Sequence, residues 1–269
     1  MSGEKNIFGL SLKGSVSNLD SVFKAVDVSA FKKFEVSGDF VNWSTGDDSP
    51  FSSFNLDKAK FSIISVSNII PPNIAGEIAG RSTIIQNDFF NAFRDNLELL
   101  KHRTIQNCTM DINLEKELAN ALDYEPKVLL LKKLTSMLFL NKIKLLLPVR
   151  IPSVLNVNTV DYTLFARKIM NPNFEFALDI HPHEFRVKPE PLKLLEPLRF
   201  KLGLVSFEYE PESGNYFVPK LLEPWLDALK TLAYDGPVLL APRTSRSEVF
   251  AAEIPKLVKF TELLDGDFE

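Results

Sequence analysis

Eight short apolar runs recur along the chain, at 7–12, 33–37, 60–67, 104–112, 143–149, 174–180, 202–207 and 238–241. Several are apolar without a break instead of alternating, notably IKLLLPV at 143–149 and PVLLA at 237–241. Strands of that kind are covered on both faces, as in parallel sheets flanked by helices. The stretches between them carry helical spacing. Leu19, Val22, Phe23 and Val26 share one face behind a cap at Ser17 or Asn18, and Phe89, Phe90, Phe93, Leu97 and Leu100 make a second stripe. Leu118, Leu122, Val128, Leu131 and Leu134 predict a longer helical stretch broken near Pro126, whose ring removes a backbone donor. Leu221, Leu222, Trp225, Leu226 and Leu229 form the next stripe, and Leu257, Val258 and Leu263 line the last helix.

Eight strand-plus-helix units in 269 residues come to about 34 residues each, the size of a βαβ unit. No compositional break, Gly/Ser linker or charge block marks a second domain. These features predict a single (β/α)8 TIM barrel spanning 1–269. The rival, a doubly wound open sheet, carries a Gly-rich turn after its first strand, and Gly9 and Gly14 do not make that fingerprint. Two long connections, 39–59 and 68–82, follow the second and third strands, and they fall at the carboxyl face, where barrel enzymes build their sites.

Composition narrows the function. Thirty-one Lys+Arg against 35 Asp+Glu leave a net charge of -4, which argues against a partner held through many phosphates, so no nucleic acid is expected. The first twenty residues lack a signal-peptide layout, and lysines at 132, 133, 142 and 144 interrupt the most apolar stretch. A cytoplasmic protein without a membrane span is expected. Cys108 stands alone, so neither an internal disulfide nor a cysteine metal site can form.

The chemistry-bearing residues gather at the predicted carboxyl ends of strands. FEFALDIH at 174–181 runs from an apolar strand into Asp179 and His181, with His183 two residues on. On an extended chain these three point the same way, and such a set can ligate zinc or orient a histidine as a general base. LGLVSFEYE at 202–210 ends in Glu208 and Glu210, a pair able to divide into acid and base. Asp111 and Asn113 stand after the fourth strand, one of them placed to cap the next helix. Phe40 and Trp43 follow the second strand, where a ring could stack on a sugar.

With this order of elements, and with 174–181, 202–210 and DGPVLLA at 235–241 standing as sixth, seventh and eighth strands, the chain resembles the xylose isomerase-like TIM barrels. The resemblance implies a sugar or sugar-phosphate isomerase or epimerase that moves a proton beside a carbonyl. Asp179, His181 and Glu208 would be its acid, base or ligand groups. It also implies a divalent cation held by carboxylates and histidines at the ends of strands five, six and eight, here Asp179 and His181. Two positions depart from that pattern. The fifth strand ends LPVR at Arg150 and the eighth LAPR at Arg243, where acids are expected. Two cations beside the ligand positions repel Mg²⁺ or Mn²⁺ and disfavour the metal. The arginines fit an anionic or sugar-like ligand held bidentately, together with His183, Glu210 and Trp43. They equally fit internal pairing, Arg150 with Glu208 or Arg243 with Asp179. In that case the barrel is degenerate and metal-free, binding a carbohydrate-like or anionic ligand or a protein partner without turnover.

Overall fold

The computed structural model describes residues 8–13, 31, 33–38, 62–70, 72–102 and 105–267. Eight parallel strands close into a barrel in the order β1 to β8, with β8 pairing back to β1. The strands are β1 (Phe8–Leu12), β2 (Lys33–Ser37), β3 (Ser62–Ser67), β4 (Asn107–Thr109), β5 (Lys144–Ile151), β6 (Phe174–Ile180), β7 (Leu202–Tyr209) and β8 (Val238–Pro242). All eight fall on the predicted runs. Among the described residues the helices are α1 (Pro72–Ile78), α2 (Thr83–His102), α3 (Leu114–Ala119), α4 (Glu125–Phe139), α5 (Thr159–Ile169), α6 (Pro191–Leu195), α7 (Pro219–Thr231) and α8 (Ser247–Asp267). The predicted barrel is therefore the observed fold. The stripe at 19–26 and the connection at 39–59, with Phe40 and Trp43, lie outside the described residues.

Local chemistry explains where several elements begin. Pro126 sits in the first turn of α4, where its missing N–H costs nothing, so the predicted break separates α3 from α4. Helix α5 starts in a capping box: Asn158 accepts from the Asp161 N–H at 3.1 Å, and Asp161 accepts in return from the Asn158 N–H at 3.3 Å. The connection at 68–82 is not an open loop, because α1 forms within it.

Two apolar layers follow from the strands' period of two. Outward side chains such as Phe34, Phe174, Phe176 and Phe207 pack with Phe165, Trp225 and Phe250 of the helices in one continuous core. Inward, Leu146, Ala177, Leu204 and Leu239 form a separate plug, with Ile64 against it. Toward the carboxyl ends the interior turns polar, because Ser11 pairs in register with Glu35, Glu35 with Ser65, and Asp179 with Ser206.

Gly9 is the one β1 position where the plug leaves no room for a side chain. A Cβ there would stand 2.7 Å from the Lys33 carbonyl oxygen and 2.6 Å from Leu239 Cδ2. Gly9→Ala should lower the unfolding free energy by about 1–3 kcal/mol through overpacking. Urea denaturation checks this, and an unchanged midpoint would show that β1 and β2 can separate slightly at no cost.

Candidate active site at the carboxyl mouth

Asp179 is the next-to-last residue of β6 and lies in register with Arg150 of β5 on one side and Ser206 of β7 on the other. Glu208 of β7 is in register with Ala241, two residues before Arg243. These neighbours all face inward at one end, so the strand ends converge on a single charged cluster. Its centre is Lys13, directly after β1. The Lys13 ammonium donates to Asp179 Oδ1 and lies 2.6 Å from Glu208 Oε1. Below it Glu35, fully buried, accepts from the Ser11 hydroxyl at 2.6 Å and from Ser65 at 3.4 Å.

Glu208 gathers three cationic or donor groups. Besides Lys13, its Oε2 accepts from Arg243 Nη1 at 2.8 Å and lies 3.0 Å from His181 Nε2. That nitrogen also stands 3.0 Å from Arg150 Nη1, and it cannot donate to the carboxylate and accept from the guanidinium together. The buried carboxylate is the stronger partner, which puts the proton on Nε2 and leaves Nδ1 3.5 Å from Glu184. Arg150 also pairs with Glu184 through Nη2.

The surrounding elements hold this arrangement. The His181 N–H donates to the Ile151 carbonyl at 2.7 Å, so the turn after β6 is pinned to β5. Phe185 of the same segment packs against Trp225 of α7, the ring centroids 5.5 Å apart and the planes tilted by 47°. The Arg243 N–H donates to the Tyr209 carbonyl at 2.8 Å, and the Tyr209 hydroxyl donates to Glu253 of α8 at 2.8 Å.

Burial and charge drive the two mouth carboxylates apart. Burial pushes Asp179 up, and the charges of Glu208 and Glu35 add to this against Lys13, bringing it to about 7. Burial would raise Glu208 too, but Lys13, the His181 hydrogen bond and Arg243 prevail and hold it well below the ordinary carboxylate range. Burial also raises Glu35. Burial opposes the charge on Lys13, yet Asp179, Glu208 and Glu35 outweigh it, so the ammonium is held above its ordinary range.

A cavity of about 750 Å³ opens over the cluster, lined among others by Asp111, Tyr162, Arg150, Asp179, His181 and Arg243. The expected same-face pairs divide here. Glu208 is buried, whereas Glu210 is exposed past the strand end and accepts from Ser213 at 3.1 Å. His181 is buried, whereas His183 is exposed, because the strand stops at Ile180 and residues Pro182–Glu184 form a 3-10 turn that ends the alternation. The arginines do pair internally, but with other partners than expected: Arg150 with Glu184, Arg243 with Glu208. Asn113 begins α3 without a side-chain cap, and Asp111 instead accepts from its N–H at 2.7 Å.

No family model matches the chain, and no curated protein matches it. Solved structures do. D-psicose 3-epimerase from Clostridium cellulolyticum H10, with D-tagatose, superposes with a TM-score of 0.63 at 14% identity, over 97% of both chains. A xylose isomerase domain protein from Planctomyces limnophilus gives 0.64 at 12% identity over 94% of this chain and 96% of that one. The apo 3-keto-D-glucoside 4-epimerase from E. coli gives 0.64 at 11%, over 94% and 98%. The fold is that of the xylose isomerase-like TIM barrels.

The divalent cation implied by a xylose isomerase-like barrel does not fit the residues present. Lys13 already engages both Asp179 and Glu208, and Arg243 and His181 occupy the other Glu208 oxygen. Among the described residues, no group of three or more His, Cys, Asp and Glu side chains is arranged to hold a metal ion. Lys13 and Glu35 are the functional-site residues that sequence reasoning missed. Their signal was a polar residue on the inward phase of a buried strand, Ser11 to Lys13 in one case and Glu35 between Phe34 and Val36 in the other.

Proposed function

We propose that the chain is a sugar isomerase- or epimerase-like protein that moves a proton at the carbon beside a carbonyl. The observation that carries this reading is the placement of Asp179. It lines the cavity wall beside His181, Arg150 and Arg243, while Glu208 sits beneath, held by its cations. Asp179 takes the proton from the C–H bond, and the bonding pair moves onto the carbonyl oxygen. That oxygen's negative charge faces the Arg150 and Arg243 guanidinium groups. Returning the proton from Asp179 to the next carbon, with the hydroxyl proton passing between the two oxygens, completes an isomerisation; inverting the same carbon takes a second group on its other face to supply the proton. The sugar nature of the substrate draws support from the sugar epimerases that share the fold. A small-molecule substrate and a cytoplasmic location belong to the same reading, as does the lack of a role for nucleic acid, which agrees with the net charge of -4.

A second reading has its own observation. The buried Glu208 is compensated by Lys13 and Arg243, and Arg150 by Glu184, an economy suited to a barrel that binds a carbohydrate-like or anionic ligand, or a protein partner, without turnover. Incubation in D₂O with ketoses, aldoses and their phosphates, in the presence of a chelator, separates the two. Deuterium entering at the carbon next to the carbonyl supports proton transfer. A sugar that raises the melting temperature but acquires no deuterium over days supports the binding barrel.

A further inference from the structure

We propose that Lys13 is a tethered cation that keeps this mouth free of divalent metal, its ammonium standing between Asp179 and Glu208 where the two carboxylates would otherwise share a bound ion. The inference does not depend on turnover: it concerns what the carboxylates bind, whether or not a sugar reacts above them.

The geometry points to a filled position. Lys13 extends from the end of β1 and reaches β6 and β7, contacting one oxygen from each. Its nitrogen lies 2.6 Å from Glu208 Oε1, and hard divalent ions need their oxygen ligands at about 2.0–2.6 Å. An ion entering between the carboxylates would therefore have to displace the ammonium. That ammonium is only 15% exposed at its side chain and has three carboxylates around it, Asp179, Glu208 and, more distantly, Glu35. Displacement would also leave the incoming ion facing Arg243, 2.8 Å from Glu208, and Arg150, in register with Asp179. Because the lysine is part of the chain, its local concentration does not fall when metal is added. A diffusing ion competes against a partner that never leaves.

Removing Lys13 reverses these terms. Asp179 and Glu208 would then each turn one oxygen to the position the ammonium leaves, with the charge of Glu35 nearby and water completing the shell, an oxygen donor set suited to Mn²⁺. The probe is Mn²⁺ alone, followed by electron paramagnetic resonance on the whole chain, for wild type, Lys13→Ala and the milder Lys13→Gln. Wild type should hold no Mn²⁺ through the micromolar range. Lys13→Ala should take up about one ion per chain, with affinity raised at least about ten-fold, and its melting temperature should climb with added Mn²⁺. Adding Asp179→Asn to Lys13→Ala should abolish the gain. Should Lys13→Ala not fold, Lys13→Gln carries the same measurement. A wild-type chain that binds one Mn²⁺ and loses it in Asp179→Asn overturns the proposal. So does a folded Lys13 variant that binds Mn²⁺ no better than wild type.

Discussion

Glu208→Ala should lower the free energy of unfolding by about 3–5 kcal/mol, the range seen when one member of a buried ion pair is removed. Glu208 is 1% exposed and is approached by Lys13 at 2.6 Å, Arg243 at 2.8 Å and His181 at 3.0 Å. Arg243 can turn to water, since 47% of its side chain is exposed, so it adds little to the penalty. Lys13 cannot, and it supplies most of the loss: an ammonium among buried groups keeps only Asp179 and the more distant Glu35. Glu208→Gln keeps the shape and one acceptor, so it should fall between wild type and the alanine variant. The double variant Lys13→Met with Glu208→Leu should recover much of the loss, because two apolar chains of similar volume need no desolvated charge. Urea denaturation at neutral pH is the measurement. A loss below about 1 kcal/mol for Glu208→Ala would mean the cluster is solvated and the ion pairs behave like surface pairs.

The cluster also shows which parts of this molecule could be read in advance. The barrel was legible because eight apolar runs recur at regular spacing and several of them, such as 143–149 and 237–241, are unbroken, and such a run needs cover on both sides. The positions follow closely: β2 and β6 coincide with their predicted spans, β5 and β7 extend two residues further, and β4 shrinks to Asn107–Thr109. Asp179, His181 and Glu208 were legible for the same reason, as polar residues where apolar strands end. His183 and Glu210 were not separable from them by period two alone, because the alternation holds only while the chain stays extended. It stops at Ile180 and Tyr209. Lys13 and Glu35 had a local signal but no local partner. Lys13 meets Asp179 across 166 residues of chain, a pairing that only barrel closure creates. The arginines misled as to partner for a related reason. Arg150, expected on Glu208, reaches Glu184; Arg243, expected on Asp179, takes Glu208; and Lys13 takes Asp179.

Asp179→Asn should reduce any proton exchange at the mouth by about 100-fold or more while leaving ligand affinity within a few-fold, since the amide keeps the shape and cannot take the proton. Its effect on stability should run the opposite way at alkaline pH. The folded-state value of about 7 lies above the ordinary carboxylate value of 3.8, so the folded protein binds the extra proton in the interval between them. The stability from this group is therefore present below about pH 4 and is lost as pH rises through 7. Glu35 is raised by burial and has the same sign; Glu208, held low by Lys13, His181 and Arg243, has the other and loses its contribution as pH falls below the ordinary range. For these three groups the two limbs meet near the ordinary carboxylate range, so their combined stability is greatest near about pH 4 and falls as pH rises toward 7. Urea midpoints across pH 4–9 check this. Wild type should weaken from about pH 4 to pH 7, by an amount on the order of a few kcal/mol, with no further loss from Asp179 above that. Asp179→Asn should weaken less over the same interval, retaining only the slope from Glu35. A fall from about pH 4 to pH 7 equally steep in Asp179→Asn would remove Asp179 as its cause. It would also leave the proposed proton acceptor an ordinary, ionised carboxylate at neutral pH, poorly matched to lifting a proton beside a carbonyl.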